Sequence, residues 1–237
     1  MFAVITLEKE NRKSRYIRRR KCRIEAANAA VIGGAPFRHI KIFAGKKGID
    51  WKAVECAAGC ALKSIVLQNS IDLPSNSYLK KFVPDTLPLL LMLNTAAARL
   101  DKGESAKKRT MLIEDKNAVL PQYIHRIINC AYKIKIATDY PEKYFTMCAD
   151  LLENYGASPI ICGSTLKNEK FDVFIGEKTN EQAKYVFSTD LIGTEGFELN
   201  VPEEILKLCP NGVDLFLFLC AMFECGGVSS IGNMSLE

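Results

Sequence analysis

The chain has 237 residues, of which 48% are hydrophobic and 25% are charged, and its formal net charge is +5. This composition excludes a disordered polymer, and the length suits one large domain or two small ones. The longest apolar runs, Leu87–Leu93 and Val213–Phe223, fall short of the roughly 20 residues that span a bilayer. The apolar stretch Phe2–Leu7 precedes the basic residues, which is the reverse of a secretory signal. We therefore expect a soluble cytoplasmic protein without a membrane partner.

The nine cysteines lie mostly in apolar segments, where a small buried hydrophobic residue fits. Their number is odd and no Cys-x-x-Cys pair occurs, so reduced thiols are favoured over disulfides. Cys56 and Cys60 would share one face of a helix, but the chain has only two histidines, His39 and His125. Structural thiols are therefore the preferred interpretation over a metal or redox site, and no metal is expected.

Positive charge is concentrated in the first half of the chain. Residues 1–106 contain 19 Lys and Arg against 9 Asp and Glu, whereas residues 107–237 contain 13 against 18. The sign changes at the polar stretch Asp101–Lys108, whose composition is typical of a linker. This shift predicts a basic α/β region over residues 1–104 and a separate α/β domain over residues 105–237.

In the first half, apolar runs and capping residues predict a strand over Phe2–Leu7, a helix from about Ser14 to Ile32, a strand over Ile40–Ala44, a helix over Trp51–Ala58, a strand over Leu62–Leu67 and a helix over about Leu89–Leu100. The helix to Ile32 rests on apolar residues at seven-residue steps and on the stop at Gly33-Gly34, and a strand is the alternative. Asp50 is expected to cap the helix that Gly59 ends. The order strand, helix, strand indicates a parallel sheet.

In the second half, the same signals predict strands over Thr110–Ile113, Lys133–Ala137, Pro159–Cys162 and Phe171–Ile175, with helices over about Val119–Ala131 and from Pro141 to Tyr155. The inner face of the latter helix is expected to consist of Tyr144, Cys148, Leu151, Leu152 and Tyr155. Two further helices are predicted over Pro202–Leu208 and Val213–Cys225, the second largely buried. The alternation of strands and helices predicts a Rossmann-like fold, a parallel or mostly parallel sheet with flanking helices.

Ligands of such sheets bind beyond the carboxyl ends of the strands, and this rule selects five candidate ligand-binding residues: Glu114, Asp115, Lys116, Asn117 and Asp139. The turn after the first strand has no glycine, and Glu114 and Asp115 would repel a phosphate. A bound NAD or FAD is therefore not expected, and no cofactor is predicted. The alternative interpretation is that Asp115 or Asn117, and likewise Asp139, caps the helix that follows it.

The densest charge of the chain lies between Arg12 and Arg23, where eight of twelve residues are basic and none is acidic. Nucleic acid or another anionic partner could be contacted by Arg15, Arg18, Arg19, Arg20, Lys21 and Arg23. Tyr16 is the only aromatic residue among them, so base stacking has little support. The alternatives are a solvated face, or pairing with the acidic second half within one chain or between subunits of a homo-oligomer.

No catalytic residue is identified, because neither a Gly-x-Ser-x-Gly nor a His-Glu-x-x-His motif occurs. The leading hypothesis is a Rossmann-like protein with a binding or regulatory role and no bound dinucleotide. A first alternative is an enzyme, transferase or dehydrogenase-like, with Asp139 and Lys116 at the rim of a cleft between the halves. A second is a nucleic-acid-associated protein that uses residues 12–23.

Overall fold

The computed structural model describes residues 1–8, 22–31, 34–163, 170–178, 182–192, 199–226 and 235–236. Its strands are β1 (Ala3–Leu7), β2 (Arg23–Val31), β3 (Gly34–Phe43), β4 (Ile65–Leu67), β5 (Thr110–Glu114), β6 (Lys133–Ala137), β7 (Ile160–Cys162), β8 (Val173–Gly176), β9 (Tyr185–Ser188), β10 (Leu199–Asn200) and β11 (Ser235–Leu236). Its α-helices are α1 (Trp51–Ala58), α2 (Thr86–Arg99), α3 (Phe145–Tyr155), α4 (Glu203–Leu206) and α5 (Leu215–Glu224). No helix among the described residues is long and apolar enough to cross a membrane.

The chain forms two compact units. The first unit comprises Met1–Pro84 and Val201–Met234, and the second comprises Asp85–Asn200 and Ser235–Glu237. The chain thus leaves the first unit after Pro84, returns to it at Val201 with α4 and α5, and leaves it again at Ser235. The charge shift predicts separate regions over residues 1–104 and 105–237. The chain passes from the first compact unit to the second at a different point, between Pro84 and Asp85, and the predicted boundary stays a prediction.

The first unit contains a four-stranded sheet in the order β2-β3-β1-β4, in which β1 is parallel to β3 and β4, and β2 is antiparallel to β3. Because successive residues of a strand point to opposite faces, each strand supplies two hydrophobic clusters. On one face, Ala3 and Ile5 pack in a cluster with Val54 of α1. On the other face, Phe2 and Val4 pack in a cluster that includes α5. The sheet therefore lies between two helical layers.

The predicted helix from Ser14 to Ile32 is wrong over its described part, because residues 23–31 form β2. Ile24 packs against the α1 side of the sheet, and β2 pairs with β3 along most of its length. Alanine occurs in both helices and strands, so the pairing with β3 determines that this alanine-rich segment is a strand. The prediction for α1 is confirmed: the Asp50 carboxylate accepts a hydrogen bond from the Ala53 N–H at 3.2 Å, and Gly59 follows with φ +58°.

The second unit contains a five-stranded, wholly parallel sheet in the order β7-β6-β5-β8-β9. Counted along the chain, the strands stand in the order 3-2-1-4-5, which is the strand order of the Rossmann fold. The predicted Rossmann-like fold is therefore confirmed. The fifth strand, β9, was not predicted from the sequence. The strand direction places all five carboxyl ends on one edge of the sheet, called the carboxyl edge below, and all five amino ends on the opposite amino edge.

The helix predicted over Val119–Ala131 is wrong. The segment forms two 3-10 helices, Pro121–Arg126 and Ile128–Cys130. Ile124, Ile127 and Cys130 are fully buried and three residues apart, which is the period of a 3-10 helix and not of an α-helix. A hydrophobic pattern of this length does not by itself distinguish the two periods.

Helix α3 is preceded by a 3-10 turn over Pro141–Tyr144 and ends at Gly156, which has φ +65°. Its predicted inner face is partly wrong. Tyr144 and Leu151 are buried, but Leu152 and Tyr155 are 60% and 51% exposed. The apolar residues of this helix therefore extend around more of its surface than the sheet covers.

One histidine of the first unit provides a pH-dependent prediction. His39 Nε2 lies 3.0 Å from the hydroxyl of Thr6, a buried residue. Burial, together with the positive charge of Lys41, lowers the pKa of His39 below 6.5, and Glu8 opposes this only in part. The unfolded chain therefore binds a proton at a higher pH than the folded chain does. We expect the free energy of unfolding to fall as the pH is lowered through 6.5, until it reaches the pKa of the folded state.

Urea unfolding of the wild type and of His39→Gln between pH 5 and pH 8 measures this dependence. The substitution is expected to flatten the pH profile in that range. His125→Gln is the matched control, since His125 is exposed, and it should leave the profile unchanged. If the free energy of unfolding of His39→Gln still falls with pH as it does in the wild type, a group other than His39 causes the pH dependence.

Candidate functional site

Four of the five predicted ligand-binding residues follow each other at the carboxyl end of β5. Glu114 is the last residue of β5, and Asp115, Lys116 and Asn117 follow it. Asp139 lies two residues after β6, and its backbone N–H donates to the Lys116 carbonyl at 3.0 Å. The structure therefore brings the ends of the two neighbouring strands together, as the topology predicts.

Asp115 is completely buried and is hydrogen-bonded on both carboxylate oxygens. Oδ1 accepts from the Val119 N–H at 3.0 Å, and Oδ2 accepts from the Leu120 N–H at 2.8 Å and from the hydroxyl of Tyr144. Burial and the charge of Asp115 raise the pKa of Tyr144 far above its ordinary value, so the phenol stays protonated and donates. Asp115 therefore holds the turn and is not accessible to a ligand, and it binds N–H groups that precede the following 3-10 helix, which has no side-chain cap.

The turn itself is held in an uncommon conformation. Ala118 has φ +53°, in the left-handed region that non-glycine residues rarely adopt, and its N–H donates to the Asp115 carbonyl at 3.2 Å. Such a residue costs roughly 1–2 kcal/mol relative to ordinary backbone. The buried carboxylate of Asp115 is the group that stabilises this turn against its strain.

Lys116 lies between two carboxylates. Its Nζ is 3.9 Å from Glu114 Oε1 and 3.8 Å from Glu177 Oε2. Both distances exceed hydrogen-bonding range, so the ammonium is attracted by the acids without donating to them. The side chains of Lys116 and Glu177 are 39% and 47% exposed, and both can meet a ligand.

Glu177 was not predicted from the sequence, although it follows β8 directly. Its carbonyl accepts hydrogen bonds from Ser188 Oγ at 2.8 Å and from Thr189 Oγ1 at 3.0 Å. The preceding Gly176 has no room for a side chain, since a Cβ would lie 2.6 Å from Cζ of Phe174 and 3.1 Å from the Cβ of Glu114. The signal that could have located Glu177 is its place at the switch point, where β5 and β8 are neighbours and the chain order of the strands reverses.

The remaining predicted residues have different surroundings. Asn117 Nδ2 donates to Asp85 Oδ1 at 3.0 Å, and the Asn117 carbonyl accepts from Lys143 Nζ at 3.0 Å. Asp139 is exposed and does not cap the next segment. The 3-10 turn Pro141–Tyr144 has no side-chain cap, and the Thr138 hydroxyl accepts from the Tyr140 N–H at 3.2 Å just before it. The alternative interpretation of Asp139 as a cap is therefore wrong.

A groove of about 620 Å³ lies between the 3-10 segment Pro121–Arg126 and α3 and is lined by none of the five predicted ligand-binding residues. Lys143 lines the groove and also binds the Asn117 carbonyl, so the groove opens beside the turn after β5. Its other polar lining groups are Gln122, His125, Thr146, Asp150 and Asn154. The groove provides space for a small molecule, and Lys143 is the residue that connects it to the turn after β5. Among the described residues, no group of three or more His, Cys, Asp or Glu side chains could hold a metal ion.

The predicted anion-binding residues Arg15, Arg18, Arg19, Arg20 and Lys21 lie outside the described residues. Arg23, the sixth, begins β2 in the first unit. Its guanidinium lies 3.3 Å from Glu25 and 4.1 Å from the centroid of the Phe43 ring. Arg23 is therefore partly engaged by its own strand and its neighbour.

No family model matches the chain. No curated protein matches it either. Among solved structures, the chain is similar to L-tryptophan dehydrogenase from Nostoc punctiforme, with 11% sequence identity and a TM-score of 0.33. The match covers 79% of this chain and 61% of the dehydrogenase, so the chain spans about three fifths of that enzyme.

Proposed function

We propose that this chain is a cytoplasmic binding or regulatory protein whose Rossmann-like unit takes a small polar ligand at the carboxyl edge, without a bound dinucleotide. The observation that carries the proposal is the arrangement of Lys116 between Glu114 and Glu177 at the switch point of the sheet. Ligands of open parallel sheets bind in the crevice at that point.

The state of the turn after β5 argues against a dinucleotide. A pyrophosphate is held there by free backbone N–H groups and by the N-terminus of an α-helix. In this chain the Val119 and Leu120 N–H groups already donate to the Asp115 carboxylate. The segment that follows is a 3-10 helix beginning at Pro121. The internal carboxylate thus uses the donors that a phosphate would need.

The charges at the site favour a ligand that carries both signs. One ammonium, that of Lys116, can bind a carboxylate of the ligand. Glu114, Glu177 and the exposed Asp139 can bind an amino group. A small amino acid or a related zwitterion satisfies both requirements, whereas a phosphate ester would face three carboxylates.

A thermal-shift screen of the full chain tests this proposal, with amino acids, amines, carboxylates, NAD and FAD as separate arms. We expect at least one zwitterion to raise the melting temperature, and titration calorimetry then to give its Kd. Lys116→Ala should weaken that binding by about tenfold, because it removes a charge-assisted contact. Lys133→Ala is the matched control, since Lys133 is an exposed lysine at the amino end of β6.

Two outcomes would overturn the proposal. One is stabilisation by NAD or FAD in place of a zwitterion. The other is equal weakening by Lys116→Ala and Lys133→Ala, which would remove Lys116 from the site. The sequence-based alternatives, an enzyme and a nucleic-acid-associated protein, stay predictions. Turnover of a ligand found in the screen would favour the first of them.

A further inference from the structure

A second polar cavity lies at the amino edge of the Rossmann-like unit, opposite the edge that the proposed function uses. Its volume is about 310 Å³, the lower end of the range for small-molecule sites. Arg109 directly precedes β5, Asp172 directly precedes β8, and Tyr185 begins β9. Three adjacent strands thus supply its wall, and the last residue of α2, Arg99, completes it.

The cavity is strongly basic. Its lining contains four cations, Arg99, Lys108, Arg109 and Lys184, against two carboxylates, Asp101 and Asp172, a net charge of +2. Lys108 and Lys184 are exposed. Lys184 Nζ lies 5.2 Å from the centroid of the Tyr185 ring, and no carboxylate of the described residues lies within ion-pair distance of Lys108 or Lys184.

Both carboxylates are engaged by neutral donors of their own surroundings. Asp101 accepts from Ser105 Oγ at 2.7 Å and from the Gly103 N–H at 2.9 Å. Asp172 Oδ2 accepts from the Thr110 N–H at 2.8 Å and from the Thr110 hydroxyl at 3.0 Å. These hydrogen bonds lower the pKa of both acids, and the charge of Arg109 adds to the effect, as does that of Lys184 at Asp172. Both acids are therefore ionised at neutral pH, and the net charge of the lining is +2.

Arg109 is the group that points most directly to an anion. The residue is only 8% exposed, yet its guanidinium donates to neutral groups: Nη1 to the carbonyls of Asp101 and Cys130 at 2.8 and 2.7 Å, and Nη2 to Ser105 Oγ at 3.1 Å. A buried arginine is ordinarily paired with an acid, whereas Arg109 acts on the carboxylates of Asp101 and Asp172 through its charge and donates to neither. These bonds fix the guanidinium in place and leave Nε and one N–H of Nη2 for a further acceptor.

We propose that this cavity binds the phosphate group of a small phosphorylated metabolite. A phosphate monoester carries a charge of about −1.5 to −2 at neutral pH, which matches the lining charge of +2. The fixed guanidinium of Arg109 supplies directional donors, and Lys108 and Lys184 supply mobile ammonium groups from the rim. The ring of Tyr185 provides an apolar wall for the carbon part of the ligand. The site is independent of the proposed function at the carboxyl edge.

The test uses the full chain with glycerol 3-phosphate and inorganic phosphate as probes, and with glycerol and chloride at equal ionic strength as references. Titration calorimetry and melting temperature are the readouts. Both phosphates should bind and stabilise the protein, and neither reference should. Lys108→Ala/Lys184→Ala should raise the Kd about tenfold or more, since two charged contacts are lost from exposed positions that do not support the fold.

Lys107→Ala is the matched control. Lys107 is an exposed neighbour of Lys108 that pairs with Glu104 and does not line the cavity. Its Kd should equal that of the wild type. Arg109→Lys, which keeps the charge and loses the fork of donors, should also weaken binding if it folds. The proposal is overturned if neither phosphate binds, or if Lys107→Ala weakens binding as much as the double variant does.

Discussion

Asp115→Ala is expected to lower the free energy of unfolding of the second unit by about 4 kcal/mol. The substitution removes a buried carboxylate and leaves three donors without an acceptor: the buried Leu120 N–H and Tyr144 hydroxyl and the partly buried Val119 N–H. An unsatisfied buried donor costs about 1–3 kcal/mol. The strained turn at Ala118 loses its stabilising partner at the same time. Urea unfolding followed by circular dichroism measures the difference.

Two further variants separate the contributions to this loss. Tyr144→Phe removes one of the three donors and is expected to cost about 1–2 kcal/mol. The double variant gives the coupling energy of the pair, which should be well above zero because the two groups are in direct contact. Glu114→Ala, one residue earlier and partly exposed, is the control and should lie within about 0.5 kcal/mol of the wild type. A loss below about 1 kcal/mol in Asp115→Ala would show that water replaces the carboxylate.

The parallel sheet of the second unit could be predicted because its strands carry their signal locally. Thr110–Ile113 contains the apolar run Met-Leu-Ile, and Lys133–Ala137 alternates lysine with apolar residues. They form β5 and β6 with little change in their bounds. The Rossmann-like order then follows from general rules of connection. β9 was missed because Tyr185–Ser188 is only four residues long and its buried members, Phe187 and Ser188, do not form an apolar run.

The location of the candidate site could be predicted from the sequence, but the contacts between its side chains could not. The rule for strand ends selected Glu114–Asn117 and Asp139 from position alone. It could not show that Asp115 turns inwards to bind Val119 and Leu120 while its neighbour Lys116 faces Glu177, because a turn's direction depends on hydrogen bonds across the fold. Tyr144, 29 residues away, is the partner that makes the inward position of Asp115 stable.

The errors have a common physical origin in long-range contacts. Residues 23–31 are alanine-rich and would suit a helix, but pairing with β3 makes them a strand. Residues 121–130 carry apolar residues at short steps, but the turn fixed by Asp115 starts a 3-10 helix. In both cases local propensity is worth a few tenths of a kcal/mol per residue, and tertiary contacts exceed it.

In the first unit, the burial of α5 likewise depends on residues that are distant in the sequence. α5 was predicted as largely buried, which is confirmed, since Phe218, Leu219 and Cys220 are buried. Its partners in the sheet, among them Val4, Phe37 and Val66, lie about 150 residues or more earlier in the chain. The apolar face of a helix predicts burial but does not identify what buries it, so the pairing of α5 with β1 and β3 could not be derived from periodicity.

Phe218→Ala is therefore expected to have an effect as large as that of Asp115→Ala, but in the first unit. The ring of Phe218 packs edge-on against two stacked rings, with centroid distances of 5.9 Å to Phe2 and 5.3 Å to Phe37. All three side chains are buried, so the substitution leaves a cavity that the surrounding sheet and helix can fill only in part. A loss of about 4 kcal/mol in the free energy of unfolding is expected.

The matched control is Phe216→Ala, two residues earlier in the same helix. Phe216 is only partly buried and is not one of the three packed rings, so its loss should be less than half as large. Near-ultraviolet circular dichroism adds a second readout, because removal of one ring from the packed group should reduce the aromatic signal more than removal of Phe216 does. If Phe218→Ala and Phe216→Ala lower the free energy of unfolding equally, the apolar surface of the whole helix holds α5 on the sheet. The three packed rings then contribute no more than the other apolar residues of α5.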